Sequence, residues 1–269
     1  MTNIPHWQLW TADLIAAAVC VSSLEFLFLH REFEAGIYAE RIVRSRPVNY
    51  LFQASSALHA LFYGARLAII AAVVRLFSAA ALLASSFTGH LSVVALLLVA
   101  GSSVFLSHRN LIGGDGSDQM STLILIALIP AVSLPNDFLV NMICAWFIAL
   151  QSCLSYLTAG VAKAISVHWR TGLCLAPILR TKAYGHNGMA AFIEQAGKWR
   201  APICWTIISF ELCFPLVLFG CKPIVLAFIS AGILFHATNS VAMGLNCFFW
   251  AFLASYPSIL WVTHSTALF

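Results

Sequence analysis

Long apolar runs constrain this chain more than any motif does. They lie at about 10–29, 58–86, 91–106, 120–134, 138–165, 201–219 and 224–262. A helix crosses the hydrocarbon core of a bilayer, about 30 Å thick, with roughly 20 residues. The runs lack the two-residue alternation of membrane β-barrel strands. The last run is too long for one crossing and is predicted to hold two, bent near 244–246. The sequence therefore predicts an all-α, polytopic transmembrane helical bundle of seven or eight spans.

The composition fits a membrane protein with little soluble mass. Of 269 residues, 61% are hydrophobic and only 9% are charged, whereas soluble domains average about 25% charged residues. No basic stripe with interleaved aromatic residues is present, so nucleic acid is not an expected partner. We predict one integral membrane domain over 1–269, with the lipid bilayer as its main surroundings.

The cysteine and charge patterns refine this prediction. The eight cysteines include no CxxC pair and mostly fall inside apolar runs, so we predict no disulfide framework and no metal site. Lysine and arginine concentrate in the connections after the first, third and fifth runs, which the positive-inside rule places in the cytoplasm. The longest polar connection, 180–198, is predicted to hold a short interfacial helix at 189–196.

Lys163 is the strongest candidate for chemistry, because it lies near the end of a long apolar run. A lysine at membrane depth is costly unless it is paired, which makes a functional role the first hypothesis. Burial favours the neutral amine over the ammonium, and a neutral amine can act as a base. The alternative is a lysine at a helix end whose ammonium reaches the headgroup region.

Three motifs occur in order between Cys144 and Leu260. They are Tyr156-x-x-Ala159-Gly160-Val161-x-Lys163 with Trp169 and Gly172, then Phe210-Glu211-Leu212 with Pro215, then Phe235-His236-x-x-Asn239-Ser240 with Phe248 and Leu253-Ala254-Ser255-x-Pro257. Together they resemble the membrane portion, called the HTTM domain, of vitamin K-dependent γ-carboxylases.

The resemblance implies a mechanism and a set of site residues. In the carboxylases, the lysine matching Lys163 deprotonates vitamin K hydroquinone. Reaction with O2 gives a stronger base that removes a γ-proton from a peptide glutamate, and CO2 then adds. The resemblance implies catalytic roles for Lys163, Glu211 and His236. It implies substrate or quinol binding by Tyr156, Trp169, Asn239 and Phe248. The family's Asn-His pair ahead of the fourth span has no clean counterpart; the nearest residues are His108, Asn110 and Asp118, of which Asn110 and Asp118 are taken as further binding candidates.

The length of the chain also bears on function. The carboxylases carry a large extramembrane portion that positions substrate, and this chain is closer in length to short bacterial HTTM proteins. Some of those resemble the membrane component of peptide-toxin production systems. We therefore expect a multi-pass protein of the bacterial plasma membrane that uses a quinol and works beside separate protein partner chains. The alternative is a non-catalytic membrane subunit that scaffolds a larger complex.

Each candidate residue also has a structural interpretation. An intramembrane histidine such as His236 is often only a hydrogen-bonding partner between helices. Trp169, just past a span end, is typical of an interfacial anchor. Glu211 needs a partner, for which Lys163, His236 and Arg66 are the candidates. If Lys163, Glu211 and His236 form a site, we expect at least two of them within about 6 Å of each other.

Overall fold

The computed structural model describes residues 4–35, 65–109, 116–181 and 185–266, and all regular structure within them is helical. The α-helices are α1 His6–Ala35, α2 Ala65–Ser86, α3 Val93–Arg109, α4 Gly116–Ser133, α5 Phe138–Ile165, α6 Val167–Arg170, α7 Leu175–Leu179, α8 Asn187–Gln195, α9 Arg200–Cys213, α10 Lys222–Met243 and α11 Asn246–Thr266. A 3-10 segment, Phe214–Phe219, continues α9. The all-α prediction is confirmed for this part of the chain.

Six helical segments of the described residues are long and apolar enough to cross a membrane. They are His6–Phe28, Arg66–Ser86, Gly116–Ser133, Phe138–Ile165, Gly197–Phe219 and Lys222–Met243, and Val93–Ser107 is a shorter apolar helix. This is the pattern of a multi-pass membrane protein. The start of the second predicted run, 58–64, and the predicted site residue Asn110 lie outside the described residues.

The predicted bend at 244–246 falls at the junction of α10 and α11. Gly244 ends α10 with a φ of +69°, a left-handed conformation that glycine adopts without a steric penalty. The short helix predicted at 189–196 is present as α8. The side chain of His186 begins it by accepting a hydrogen bond through Nδ1 from the backbone N–H of Met189, at 3.1 Å.

The chain divides into two compact units, Met1–Asn141 and Met142–Phe269. In the first unit, α1 packs against α2 and α4, and α3 contacts both α2 and α4. Small buried residues allow these helices to approach each other: Ala12, Ala16, Ala68, Ala72 and Ala79. Gln8 joins α1 to α4 and to the start of α5, because its side-chain amide donates to Ala131 O at 3.0 Å and to Asn141 Oδ1.

The second unit contains α6 to α11 and α5 from Met142 onward. Helix α10 packs along α11, and the 3-10 segment contacts both helices. The short helices α7 and α8 pack against each other and against the end of α10 through a small apolar cluster: Ala176, Leu179, Ala190, Ile193 and Ala242. This unit carries the three motifs, so it positions most of the predicted site residues.

Candidate active site

One face of α5 carries three of the motif residues. Tyr156, Gly160 and Lys163 follow the i, i+4, i+7 spacing that places side chains on one side of a helix. A Cβ added to Gly160 would lie 2.9 Å from the backbone nitrogen of Leu212 and 3.0 Å from the Cβ of Glu211. The bare glycine therefore lets α5 approach α9 more closely than any other residue would allow.

Helix α9 presents a matching stripe. Cys204, Ile208 and Glu211 have the same spacing, and all three are buried. Glu211 is only 2% exposed, although it is a carboxylate on a segment apolar enough to cross a membrane. A carboxylate in such a place needs either a partner or a proton.

Lys163 is the partner of Glu211. Its Nζ donates to both carboxylate oxygens, at 2.6 Å to Oε1 and 2.7 Å to Oε2. The Lys163 side chain is 19% exposed and the Glu211 side chain 3%. The expectation that two of the three predicted catalytic residues lie within about 6 Å is confirmed by this pair. Of the three partners that the sequence left open for Glu211, the structure selects Lys163.

Trp169 completes the surroundings of the ammonium group. Lys163 Nζ lies 5.2 Å from the centre of the Trp169 ring, within the range of a cation–π interaction. Trp169 belongs to α6, which follows α5 after a single residue, Ser166. The ammonium is therefore turned toward a carboxylate and an aromatic ring of the same protein.

Two turns earlier on α5, Tyr156 forms the centre of a second polar group. Its hydroxyl lies 2.8 Å from Nε2 of His236 and 2.7 Å from the hydroxyl of Tyr256. All three side chains are buried. A Cβ added to Gly232 would lie 3.1 Å from the Tyr156 hydroxyl and would also contact that of Tyr256. The absence of a side chain at Gly232 thus makes room for this polar chain between α5, α10 and α11.

His236 has one unsatisfied nitrogen. Its Nδ1 is buried and has no hydrogen-bond partner in the described part of the chain. The ring stacks on Phe252 at a centroid distance of 4.3 Å, and Phe252 lies parallel to Phe248 at 6.4 Å. Leaving a buried polar group unpaired costs about 1–3 kcal/mol. Nδ1 is therefore the place in this group where a further polar atom would gain most.

The remaining predicted site residues occupy different positions. Asn239 lies one turn beyond His236 on α10 and is half-buried. Phe248 stacks on Phe252, which in turn stacks on His236. Asp118 lies in the first turn of α4, which belongs to the first unit. The structure thus brings together Lys163, Glu211 and Trp169 in one group, and joins Tyr156 to His236 in the next group along α5.

The sequence assigned no role to three polar residues of this region, although Ser255 belongs to the third motif. Tyr256 sits at the unassigned position of the third motif, and its hydroxyl bonds to a residue 100 positions earlier. Ser152 and Ser255 are also buried, and the Ser255 hydroxyl donates to that of Ser152 at 3.1 Å. The available signal was the need of a buried tyrosine hydroxyl for a partner, together with the i, i+4 spacing of Ser152 and Tyr156.

Comparisons with known proteins assign no role to the residues of this site. No family model, no curated protein and no solved structure matches this chain. The described residues also contain no group of three or more His, Cys, Asp or Glu side chains that could hold a metal ion.

Proposed function

We propose that this protein is a membrane enzyme, or the membrane subunit of one, in which O2 oxidises a lipid-soluble quinol while a peptide is modified or matured. Lys163 is the proposed base. The observation that carries the proposal is the direction of the Lys163 side chain. A lysine that only anchors a helix end extends its ammonium to the headgroups, whereas this ammonium is held by the buried carboxylate of Glu211.

The ion pair offers a route to a neutral lysine. Two opposite charges removed from water lose much of their solvation, so a neutral amine and a neutral acid compete with the ionic form. The contacts of 2.6 and 2.7 Å are short enough for a proton to move from Nζ to the carboxylate without displacement of either side chain. Glu211 would then hold the proton, and Lys163 would be free to accept another from a substrate hydroxyl.

The residues around His236 suit a quinol ring. Bound quinol would supply a hydroxyl proton and two electrons. The unpaired Nδ1 of His236 can hold one ring oxygen, and Tyr156 fixes the imidazole from its other nitrogen. Phe214, which stacks on Tyr156 at 3.8 Å, and Phe252, which stacks on His236, are buried and make the surroundings of this nitrogen apolar. An aromatic ring with polar ends is matched by this combination of apolar surroundings and one unsatisfied nitrogen.

The proposal includes a finer topology and setting. Helix α3 and helix α11, in addition to the six long apolar segments, are proposed to cross the bilayer, which gives eight crossings. A 17-residue helix such as α3 is about 25 Å long, enough to span most of the hydrocarbon core. From the resemblance to short HTTM proteins, we propose the bacterial plasma membrane as the location and a separate protein chain as the partner that presents the peptide.

One observation favours the alternative of a non-catalytic scaffold subunit. Lys163 Nζ and both carboxylate oxygens of Glu211 are already paired with each other, as in a purely structural ion pair. In that case Trp169 and Glu211 would serve to fix the end of α5 against α9. The two functions differ in whether Lys163 must lose its proton.

Replacement of Lys163 by arginine tests this difference. Arginine can keep the pair with Glu211, but its guanidinium cannot be deprotonated in a protein. If Lys163 is a base, Lys163→Arg should lower quinol oxidation at least about 100-fold, the lower range for general base catalysis. The measurement is quinol oxidation, with peptide product formation, in membranes at matched expression.

The control is Lys222→Arg, at the exposed start of α10. It should leave the rate unchanged, and size-exclusion profiles should show that both variants fold. A fully active Lys163→Arg protein would contradict the base assignment and leave the scaffold function as the better explanation.

A further inference from the structure

The connection between α5 and α9 carries as much net charge as the whole protein. Residues 166–200 contain five basic residues, Arg170, Arg180, Lys182, Lys198 and Arg200, and one acidic residue, Glu194. Their balance of +4 equals the +4 of the complete chain. The charges of all other residues therefore cancel, and this connection is the basic region of the molecule.

Its position in the fold places it at a membrane surface. Phe138–Ile165 precedes it and Gly197–Phe219 overlaps its end, and both segments are apolar and long enough to cross a bilayer. The connection also exposes large apolar side chains: Val167, Leu173, Phe192 and Trp199 are 55–65% exposed. Exposed aromatic residues beside basic ones are typical of segments in the headgroup layer.

Contacts within the connection show which cations are available. Arg180 donates to both carboxylate oxygens of Glu194, at 2.8 and 2.6 Å. Arg200 donates through Nη2 to the backbone oxygen of Glu194, at 3.1 Å. Arg170 and Lys198 are exposed, and no carboxylate pairs with either one in the described part of the chain.

These two cations flank one tight junction. Gly172 has a φ of +76°, and a Cβ there would lie 2.5 Å from the backbone nitrogen of Ala201. The turn after α6 therefore packs directly against the start of α9. Arg170 lies two residues before Gly172, and Lys198 lies three before Ala201, so the backbone that carries each charge lies near this junction.

We propose that this surface, formed by Arg170, Phe192, Lys198 and Trp199, binds the headgroups of anionic phospholipids. Arg170 and Lys198 would contact the phosphate, and Phe192 and Trp199 would lie among the adjoining acyl chains. A lipid fits better than an acidic peptide because exposed aromatic side chains accompany the cations at a membrane surface. This inference is independent of the proposed function.

Native mass spectrometry of the purified full chain in a neutral detergent tests the proposal. The probes are phosphatidylglycerol and phosphatidylcholine, titrated separately. We expect tighter binding of phosphatidylglycerol, with a preference that falls as salt is raised. Each basic residue near an anionic surface contributes about fivefold. The double variant Arg170→Gln/Lys198→Gln should therefore bind phosphatidylglycerol about 25-fold more weakly.

Two further variants keep the test decisive. Lys222→Gln neutralises an exposed lysine at the opposite end of the crossing formed by 197–219, so it should retain the affinity for phosphatidylglycerol. Phe192→Ser should weaken the binding of both lipids without removing the charge preference. Equal binding of the two lipids by the wild type, or an unchanged double variant, would overturn the proposal. So would a poly-glutamate peptide that binds at Arg170 and Lys198 and is not displaced by phosphatidylglycerol.

Discussion

Gly160 on α5 and Glu211 on α9 lie so close together that a methyl group on Gly160 would be 3.0 Å from the Cβ of Glu211. This closeness brings the carboxylate within reach of Lys163, which follows Gly160 by one turn on the same face. The ion pair and the helix contact are therefore one structural feature. A change in either should be measurable in the other.

Gly160→Ala should destabilise the protein. The added Cβ meets the backbone nitrogen of Leu212 at 2.9 Å, and overpacking of this kind costs about 1–3 kcal/mol. The gain of about 1 kcal/mol in helix propensity offsets only part of that cost. Gly101→Ala in α3 is the matched control, because a Cβ there has nothing within 4 Å. Thermal unfolding in detergent should show a lower midpoint for Gly160→Ala and an unchanged or higher one for Gly101→Ala.

Breaking the Lys163–Glu211 pair should cost more than removing it. Glu211→Leu leaves the ammonium of Lys163 without its carboxylate, which for a buried pair costs about 3–5 kcal/mol. The double variant Glu211→Leu/Lys163→Met removes both charges and should recover most of that loss. The measurement is a double-mutant cycle of unfolding free energies. Additive effects would show that the two side chains do not interact in the folded protein.

Tyr156→Phe should be more harmful than Tyr256→Phe. The hydroxyl of Tyr156 contacts both His236 and Tyr256, so its loss leaves two buried groups unpaired, at about 1–3 kcal/mol each. Removal of the Tyr256 hydroxyl preserves the contact between Tyr156 and His236. Chemical denaturation of the two variants gives the order, and equal losses would contradict the central position of Tyr156.

Cys174 should resist alkylation at neutral pH. Burial, together with the neighbouring thiol of Cys204, raises the pKa of the Cys174 thiol from 9.0 to about 12. Because only the thiolate reacts, iodoacetamide at pH 8 should modify it about 1000-fold more slowly than a thiol with a pKa of 9.0. The rate should rise about tenfold per pH unit up to pH 11. Peptide mass spectrometry can follow it beside the exposed Cys221, and rapid labelling of Cys174 at pH 8 would refute the prediction.

The pair between α7 and α8 should respond to acid. Hydrogen bonds from Arg180 lower the pKa of the Glu194 carboxyl below its ordinary value. A carboxyl with a depressed folded-state pKa stabilises the fold above its unfolded pKa, about 4.3, and this contribution is lost as pH falls through the folded value. Amide exchange in α8 should therefore be faster in Glu194→Gln than in the wild type at pH 7. The difference should vanish once the wild-type carboxyl is protonated, and one that persists would point to another cause.

Much of the fold was predictable because hydrophobic run length decides it. The bounds of α5 agree with the predicted run. Pro135 and Asp137 lie in the turn before it, and Ser166 separates it from α6. The partner of Glu211 was not predictable in the same way. The sequence gives the faces of individual helices, but it does not say which faces meet, so Lys163, His236 and Arg66 remained equivalent.

The polar group around Tyr156 was harder to predict for a related reason. A tyrosine inside an apolar run is indistinguishable from an ordinary core aromatic residue until the partner of its hydroxyl is known. The partner Tyr256 lies on another helix, and space for both hydroxyls depends on Gly232 on a third. Asn110 and Asp118 were chosen as residues nearest to the position of the family's Asn-His pair, which is a weaker guide than a shared helix face.

The chain of hydrogen bonds runs from the Tyr256 hydroxyl through the Tyr156 hydroxyl to Nε2 of His236. Through the tautomer of the imidazole, it also bears on Nδ1. Tyr156 has one hydroxyl proton for two neighbours. If it donates to Nε2, Tyr256 donates to Tyr156, and a neutral imidazole carries its proton on Nδ1. In the other tautomer, Nε2–H donates to Tyr156, Tyr156 donates to Tyr256, and Nδ1 is an acceptor. The orientations of the two hydroxyls are therefore coupled to the tautomer of His236. A polar atom that meets Nδ1 as an acceptor or as a donor would select one direction for the whole chain of hydrogen bonds, without any movement of the backbone.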